Sequence, residues 1–195
     1  MKRAFLSPFA LAWVAPGACL LFFACADPVL SNSVAALGKE TAGIDTGEYH
    51  RAGQPCTVCH GEGGPASDKP FTVAGTVFAQ PLREVGVEGA EVRMTDADGT
   101  KYTAKTNCVG NFMVTADQWD PKFPVLVEIA KNNTKRSMQT AIGREPSCGN
   151  CHTVSLMPDS PLSQVDHVYL FGGDEPGSPN GAKDCPVDPV LAGSP

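Results

Sequence analysis

The chain has little charge and no excess of basic residues. Only 18% of its 195 residues are charged, and 15 Lys plus Arg are outnumbered by 21 Asp plus Glu. Nothing in that balance draws the polyanionic backbone of a nucleic acid. The sequence also lacks HExxH or any other helical zinc-peptidase pattern, which sets metallopeptidase chemistry aside. Its length allows one modest core but no second large catalytic domain, so a big hydrolase is excluded. What it has in excess are turn formers, 20 Gly and 17 Pro. Long helices should therefore be scarce, in a turn-rich, ordered chain of the exported type.

The N-terminus supports export. Met1, Lys2 and Arg3 precede an apolar run from Ala4 to Ala26 that is interrupted by Pro8 and Pro16, the basic and hydrophobic regions of a secretory signal. About 20 apolar residues could also span a bilayer, but the prolines and the small residues at the end favour cleavage. Two routes are open. Ala24-Cys25-Ala26 fits a small-x-small cleavage site before Asp27. Leu21 to Cys25 resembles a bacterial lipoprotein box, with Phe22 where an aliphatic residue is usual; lipid on Cys25 would attach the protein to a membrane. The following stretch, residues 27–53, has small and polar residues without a sustained period and reads as a flexible tether.

The cysteines carry the chemistry. Of eight, Cys19 leaves with the signal, Cys25 leaves or takes lipid, and four form Cys56-Thr57-Val58-Cys59-His60 and Cys148-Gly149-Asn150-Cys151-His152. Both are CxxCH. Two thiols three residues apart on one turn can bond the two vinyl groups of one haem, and the next residue's imidazole then reaches the iron from the same side. A thioredoxin-like CxxC would need a βαβ context that neither motif has. A four-thiolate zinc site from Cys56, Cys59, Cys148 and Cys151 has acceptable paired spacing. Like plain structural disulfides, however, it leaves both trailing histidines unexplained, and bare thiols tend to oxidise after export.

With two CxxCH motifs, the chain resembles the c-type cytochromes. The likeness covers only residues 56 to 60 and 148 to 152. It implies two covalently attached haems c, with His60 and His152 as proximal iron ligands, and electron transfer between redox partner proteins rather than enzymatic activity. The sequence does not match a helical mono-haem cytochrome or the di-haem peroxidases, so peroxidase activity is not implied. The remaining histidines, His50 and His167, flank the two motifs and are candidate distal ligands, although an isolated histidine is ordinarily a solvated side chain. Methionine is the rival. Met157 lies only five residues beyond His152, while Met94, Met113 and Met138 fall in strand-like runs better suited to packing. An iron left open would permit ligand binding or redox catalysis instead.

Between the motifs the period changes to two. Strands are expected over 71–79, 90–95, 100–106, 112–115, 125–130 and 136–141, with turns at Asp98-Gly99, Gly110-Asn111 and Asn132-Asn133. In the second, Val92 and Met94 should face away from Glu91, Arg93 and Thr95; in the fifth, Val125, Val127 and Ile129 alternate with Leu126 and Glu128. The expected fold class is mainly β, an antiparallel β-sandwich flanked by short haem-binding loop or helical segments. Gly75-Thr76-Val77, Val87 to Val92, Asp96 to Gly99, and Thr106 through Gly110-Asn111-Phe112 are similar to the carboxypeptidase regulatory-like module, a transthyretin-like sandwich. In that family the module is an accessory and is not the peptidase, so the resemblance implies no carboxypeptidase activity.

Cys108 and Cys185 are left over, and in an exported chain they are most simply a disulfide holding the tail to the sandwich. The expected organisation is signal 1–26, tether 27–53, first haem-attachment segment 54–70, sandwich 71–142, second haem-attachment segment 143–171 and an irregular Gly/Pro-rich tail 172–195. Such a protein would work in the periplasm or on the outer cell surface, with an acidic surface suited to basic partners. The competing reading is a non-enzymatic surface module that binds protein or glycan, with its CxxC pairs as disulfides or zinc clips. If the first and last strands of the sandwich are neighbours, the two CxxCH turns should meet at one end as a short relay.

Overall fold

The computed structural model describes residues 27–40, 44, 46–81, 83–152, 166–171 and 185. The expected signal with Cys25, Met157 and the tail apart from Cys185 lie outside the described residues. Among the described residues eight strands are present: β1 Val73–Thr76, β2 Phe78–Gln80, β3 Arg83–Gly86, β4 Glu91–Thr95, β5 Lys101–Lys105, β6 Asn111–Val114, β7 Leu126–Lys131 and β8 Thr134–Ser137. All of their pairings are antiparallel. A four-stranded sheet has the order β5-β4-β7-β8, and the ladders β1-β6 and β2-β3 form the other layer.

The layers meet through the alternation that the sequence carries. In β4, Val92 and Met94 are buried and Arg93 is exposed. Beside it, Val125, Val127 and Ile129 point inward while Leu126 is 55% exposed. From the other layer come Val73, Val77, Phe112 and Val114, which join them in a single apolar cluster. Burying side chains of this size is worth about 1.5–3 kcal/mol each, which is why the pattern decides the register. On the outward face Arg93 bridges Glu91 and Glu128 at 2.8 and 2.9 Å.

Three expectations change. The single strand expected over 71–79 is divided at Val77, where the chain exchanges β6 for β3 as its partner. There Val77 N–H donates to Gly110 O, and Val77 O accepts from Val87 N–H. Gly110 has φ +83°, and a Cβ on it would sit 2.2 Å from Val77 O, so this crossing admits only glycine. β3 itself escaped the pattern because Arg83 and Glu84 interrupt its apolar run. The last strand is Thr134–Ser137 rather than 136–141. Asn132 takes φ +53°, which lets a two-residue turn place Lys131 opposite Thr134, and the strand starts at once.

The stretch read as a flexible tether also holds structure. Helix α1, Pro28–Ala36, is capped by Asp27, whose carboxylate accepts from the N–H groups of Val29 and Leu30, with proline in its first turn. Arg51 gathers the far end of α1 by donating to Leu37 O and Gly38 O and by pairing with Glu40 at 3.2 Å. At the β4–β5 turn, burial pushes the Asp96 carboxyl up, but donation from the N–H groups of Thr100, Lys122 and Asp98 outweighs it and holds the group below its ordinary value.

Cys108, in the turn between β5 and β6, is joined to Cys185 across 77 residues. Closing a loop of that length removes conformational freedom from the unfolded chain, and the chain-entropy estimate is about 4.5 kcal/mol. The variant C108S/C185S should unfold at lower denaturant concentration, with a loss of about 2–4 kcal/mol. An unchanged midpoint would show that the disulfide does not constrain the fold.

Candidate functional site

Both CxxCH segments are built onto one strand. On one side β1 pairs with β6. On its other side Ala74 N–H donates to Pro146 O at 2.9 Å, and Ala74 bridges Ser147 in parallel register. The next residue, Gly75, leaves the room that Cys148 fills, since a Cβ on it would lie 2.7 Å from both Cβ and Sγ of Cys148. Thr76 then takes hold of the first segment: its Oγ1 accepts from Gly53 N–H at 2.8 Å and donates to Asn111 Oδ1 at 2.7 Å. Asn111 Nδ2 donates to Glu48 O and His50 O, and Asn107 Nδ2 also donates to Glu48 O. Buried polar groups linked in this way fix a loop closely, because each would be costly to leave unpaired.

The two turns therefore lie side by side. Helix α2, Cys56–His60, carries the first motif, and the second begins as a single 3-10 turn, Cys148–Asn150. Gly149 packs against the backbone of Gln54 and Pro55, where an added Cβ would be 2.6 Å from Gln54 O. Glu145 joins the segments, accepting from Thr57 Oγ1 at 3.3 Å and from Ser147 N–H at 3.0 Å through the same oxygen. The expected meeting of the two motifs is present in the fold.

The thiols of Cys56, Cys59, Cys148 and Cys151 are not disulfide-bonded. Burial pushes Cys56 up to about 11. It pushes Cys148 up to about 12, with the neighbouring Cys56 adding to the effect. Burial therefore favours the neutral thiol at both positions. Among the described residues no group of three or more His, Cys, Asp or Glu is gathered closely enough to hold a metal ion.

The histidines are held in a common way. His60 Nδ1 lies 2.8 Å from Lys69 O, His152 Nδ1 lies 2.9 Å from Asp166 O, and His50 Nδ1 contacts Gly47 O. A carbonyl oxygen only accepts, so each Nδ1 carries the proton, and in the neutral ring Nε2 keeps its lone pair for a metal. His60 is buried and stacks on Phe71 with centroids 4.2 Å apart.

His50 lies across from it, with ring centroids 5.9 Å apart and planes tilted by 47°. Two imidazoles on one metal, each bonded at about 2 Å, place their ring centres about 6 Å apart. The separation of the His50 and His60 rings is close to that spacing. His167 lies between the two segments, with Nε2 3.7 Å from where a Cβ on Gly53 would sit. It is buried, stacks on Phe78 at 4.6 Å and borders the same cavity as Cys148, Cys151 and His152. Its segment is fixed to β2 because Phe78 N–H donates to Val168 O and Leu170 N–H donates to Phe78 O. Of the methionines, Met94 is buried in the core, whereas Met138 packs at the core's margin and borders the cavity.

Gly75, Thr76 and Asn111 belong to the stretches similar to the regulatory-like module, and the structure gives them the further task of docking the motifs. Glu145 and Gly149 carried no signal beyond lying near a motif. No family model, curated protein or solved structure matches the chain.

If Gly75 is the socket for Cys148, Gly75→Ala should overpack it and cost about 1–3 kcal/mol. In the haem-free chain Cys148 should then be alkylated faster than in the unsubstituted protein, as read by peptide mass spectrometry. Equal rates and an unchanged melting temperature would show that the socket does not seat the second motif.

Proposed function

We propose that the chain is an exported di-haem c-type cytochrome that carries electrons between redox partner proteins. The observation that supports this most directly is the seating of two CxxCH turns side by side on β1, each followed by a histidine whose Nδ1 is held by a backbone carbonyl. The haems supply reversible one-electron chemistry at iron. The chain supplies thioether attachment through Cys56 and Cys59 and through Cys148 and Cys151, and proximal ligation through His60 and His152. His50 would be the second protein ligand of the first iron, and an iron so ligated would be directed to outer-sphere transfer rather than catalysis. His167 is the corresponding ligand for the second, from the segment that returns beside His152.

The sandwich acts in this reading as a rigid mount that holds the two centres next to each other as a relay, and it has no peptidase role. The acidic surface, net −6, favours basic redox partners. The placement in the periplasm or on the outer surface, with or without lipid on Cys25, rests on the N-terminal sequence. Among the described residues no helix is long and apolar enough to cross a membrane.

Expressed with cytochrome c maturation machinery, the protein should show two covalent haems by pyridine haemochrome assay and intact mass. His50→Ala should convert one of the two from a six-coordinate to a five-coordinate or exogenously ligated spectrum. A protein that matures without any haem would overturn the proposal and leave a sandwich binding module with disulfide or zinc staples.

A further inference from the structure

Behind the second CxxCH turn lies a cavity of about 800 Å³, within the range of about 300–1,000 Å³ usual for cofactor pockets. Its wall on the sheet side is apolar, with Val92, Val127 and Ile129 from the inner face of the four-stranded sheet. Cys148, Cys151 and His152 border its mouth, while Cys56, Cys59 and His60 do not border it. A ring held by thioethers at Cys148 and Cys151 is tethered within a few bonds of those sulfurs, and a large apolar ring gains by leaving water.

Two further observations point to an occupant. Ser147 is 2% exposed and borders the cavity, and its Oγ has no hydrogen-bond partner among the described residues. A buried hydroxyl left in that state is costly, which marks the place as one completed by a ligand or water. Two arginines, Arg136 and Arg144, also border the cavity. Arg136 is fixed there because its guanidinium lies 4.1 Å over the Tyr169 ring and its Nε donates to Leu170 O at 3.2 Å. Neither of its terminal nitrogens is bonded to a described group, and Arg144 pairs with none. The acidic residues at the border are Glu145, already bonded to Thr57 and Ser147, and Asp166.

We infer that this cavity is the seat of the haem attached at Cys148 and Cys151, and that Arg136 and Arg144 receive its two carboxylates. This rests on the cytochrome reading and deepens it. The two centres are then unlike. The first has its histidine pair beside α1 and the 61–71 loop, whereas the second enters the sandwich. An apolar wall and two guanidinium groups both disfavour the extra positive charge of oxidised iron, so the second centre has the higher potential of the two.

The test is a spectroscopic redox titration of the full-length holoprotein, together with four variants. C148A/C151A identifies the component that belongs to the second haem. R136Q/R144Q should lower the potential of that component and leave the other in place, and Arg144→Gln, which breaks no contact, should lower it by a smaller amount. Lys101→Gln, on the edge strand β5, should move neither. The inference is overturned if the arginine variants move neither component, if they move the one that survives in C148A/C151A, or if Lys101→Gln has the same effect. Those outcomes, in a protein that carries two haems, leave the cytochrome reading standing. A wild-type protein without haem removes both.

Discussion

The arrangement depends on the two edges of one strand. β1 has a single pairing partner, β6, on one side, and the hydrogen bonds of its other side are available to bind something other than a strand of the sandwich. An unpaired edge is a liability unless it is covered. Here Pro146 and Ser147 cover it at Ala74, and farther along, beside β2, residues 168–171 do the same at Phe78 and Ala79. The second CxxCH turn is thus an excursion from an edge that must be paired in any case. The first is attached at the same strand by Thr76, so the edge that needs protection is also what brings the motifs together.

This gives small residues large consequences. Gly75 matters because Cys148 occupies the space where its side chain would be, and Gly149 because the backbone before Cys56 does the same. The polar contacts run in the same direction. Thr76, Asn111 and Glu145 each reach from one segment to another, and each bond is at least partly shielded from water, where it counts for more than at the surface. The surroundings then separate the two halves of the site: His50 and His60 have ring centroids 5.9 Å apart, whereas the second motif borders a cavity lined by apolar side chains and two arginines.

Much of the fold was readable in advance, for a physical reason. A sheet with one buried face imposes a period of two, and β4 and the first four residues of β7 show it, so Val92, Met94, Val127 and Ile129 were placed correctly, while Ala130 is buried as well. The failures occur where something other than that period was in control. β3 has charge where the pattern needed apolar residues, Val77 exchanges partners through backbone groups that have no sequence signature, and the start of β8 follows from the left-handed conformation of Asn132. Within α1 a capped helix was overlooked because it buries no side chain and therefore has no apolar stripe to reveal it.

The candidate site divides in the same manner. The sequence by itself determined the chemistry on offer: two thiols and an imidazole at a spacing set by one turn, twice, with two further histidines nearby, because covalent geometry limits what five consecutive residues can reach. It also determined that Cys108 and Cys185 stood apart from those motifs. Only the tertiary structure decided which residues surround each histidine. His50 and His60 are ten residues apart and meet because a loop is tied to Asn111, while His167 is carried to the other motif's cavity by its pairing with Phe78. Arg136 and Arg144 could not have been singled out from their neighbours in sequence, since their importance lies in the cavity they border, and a cavity is made by elements that meet only when the chain has folded.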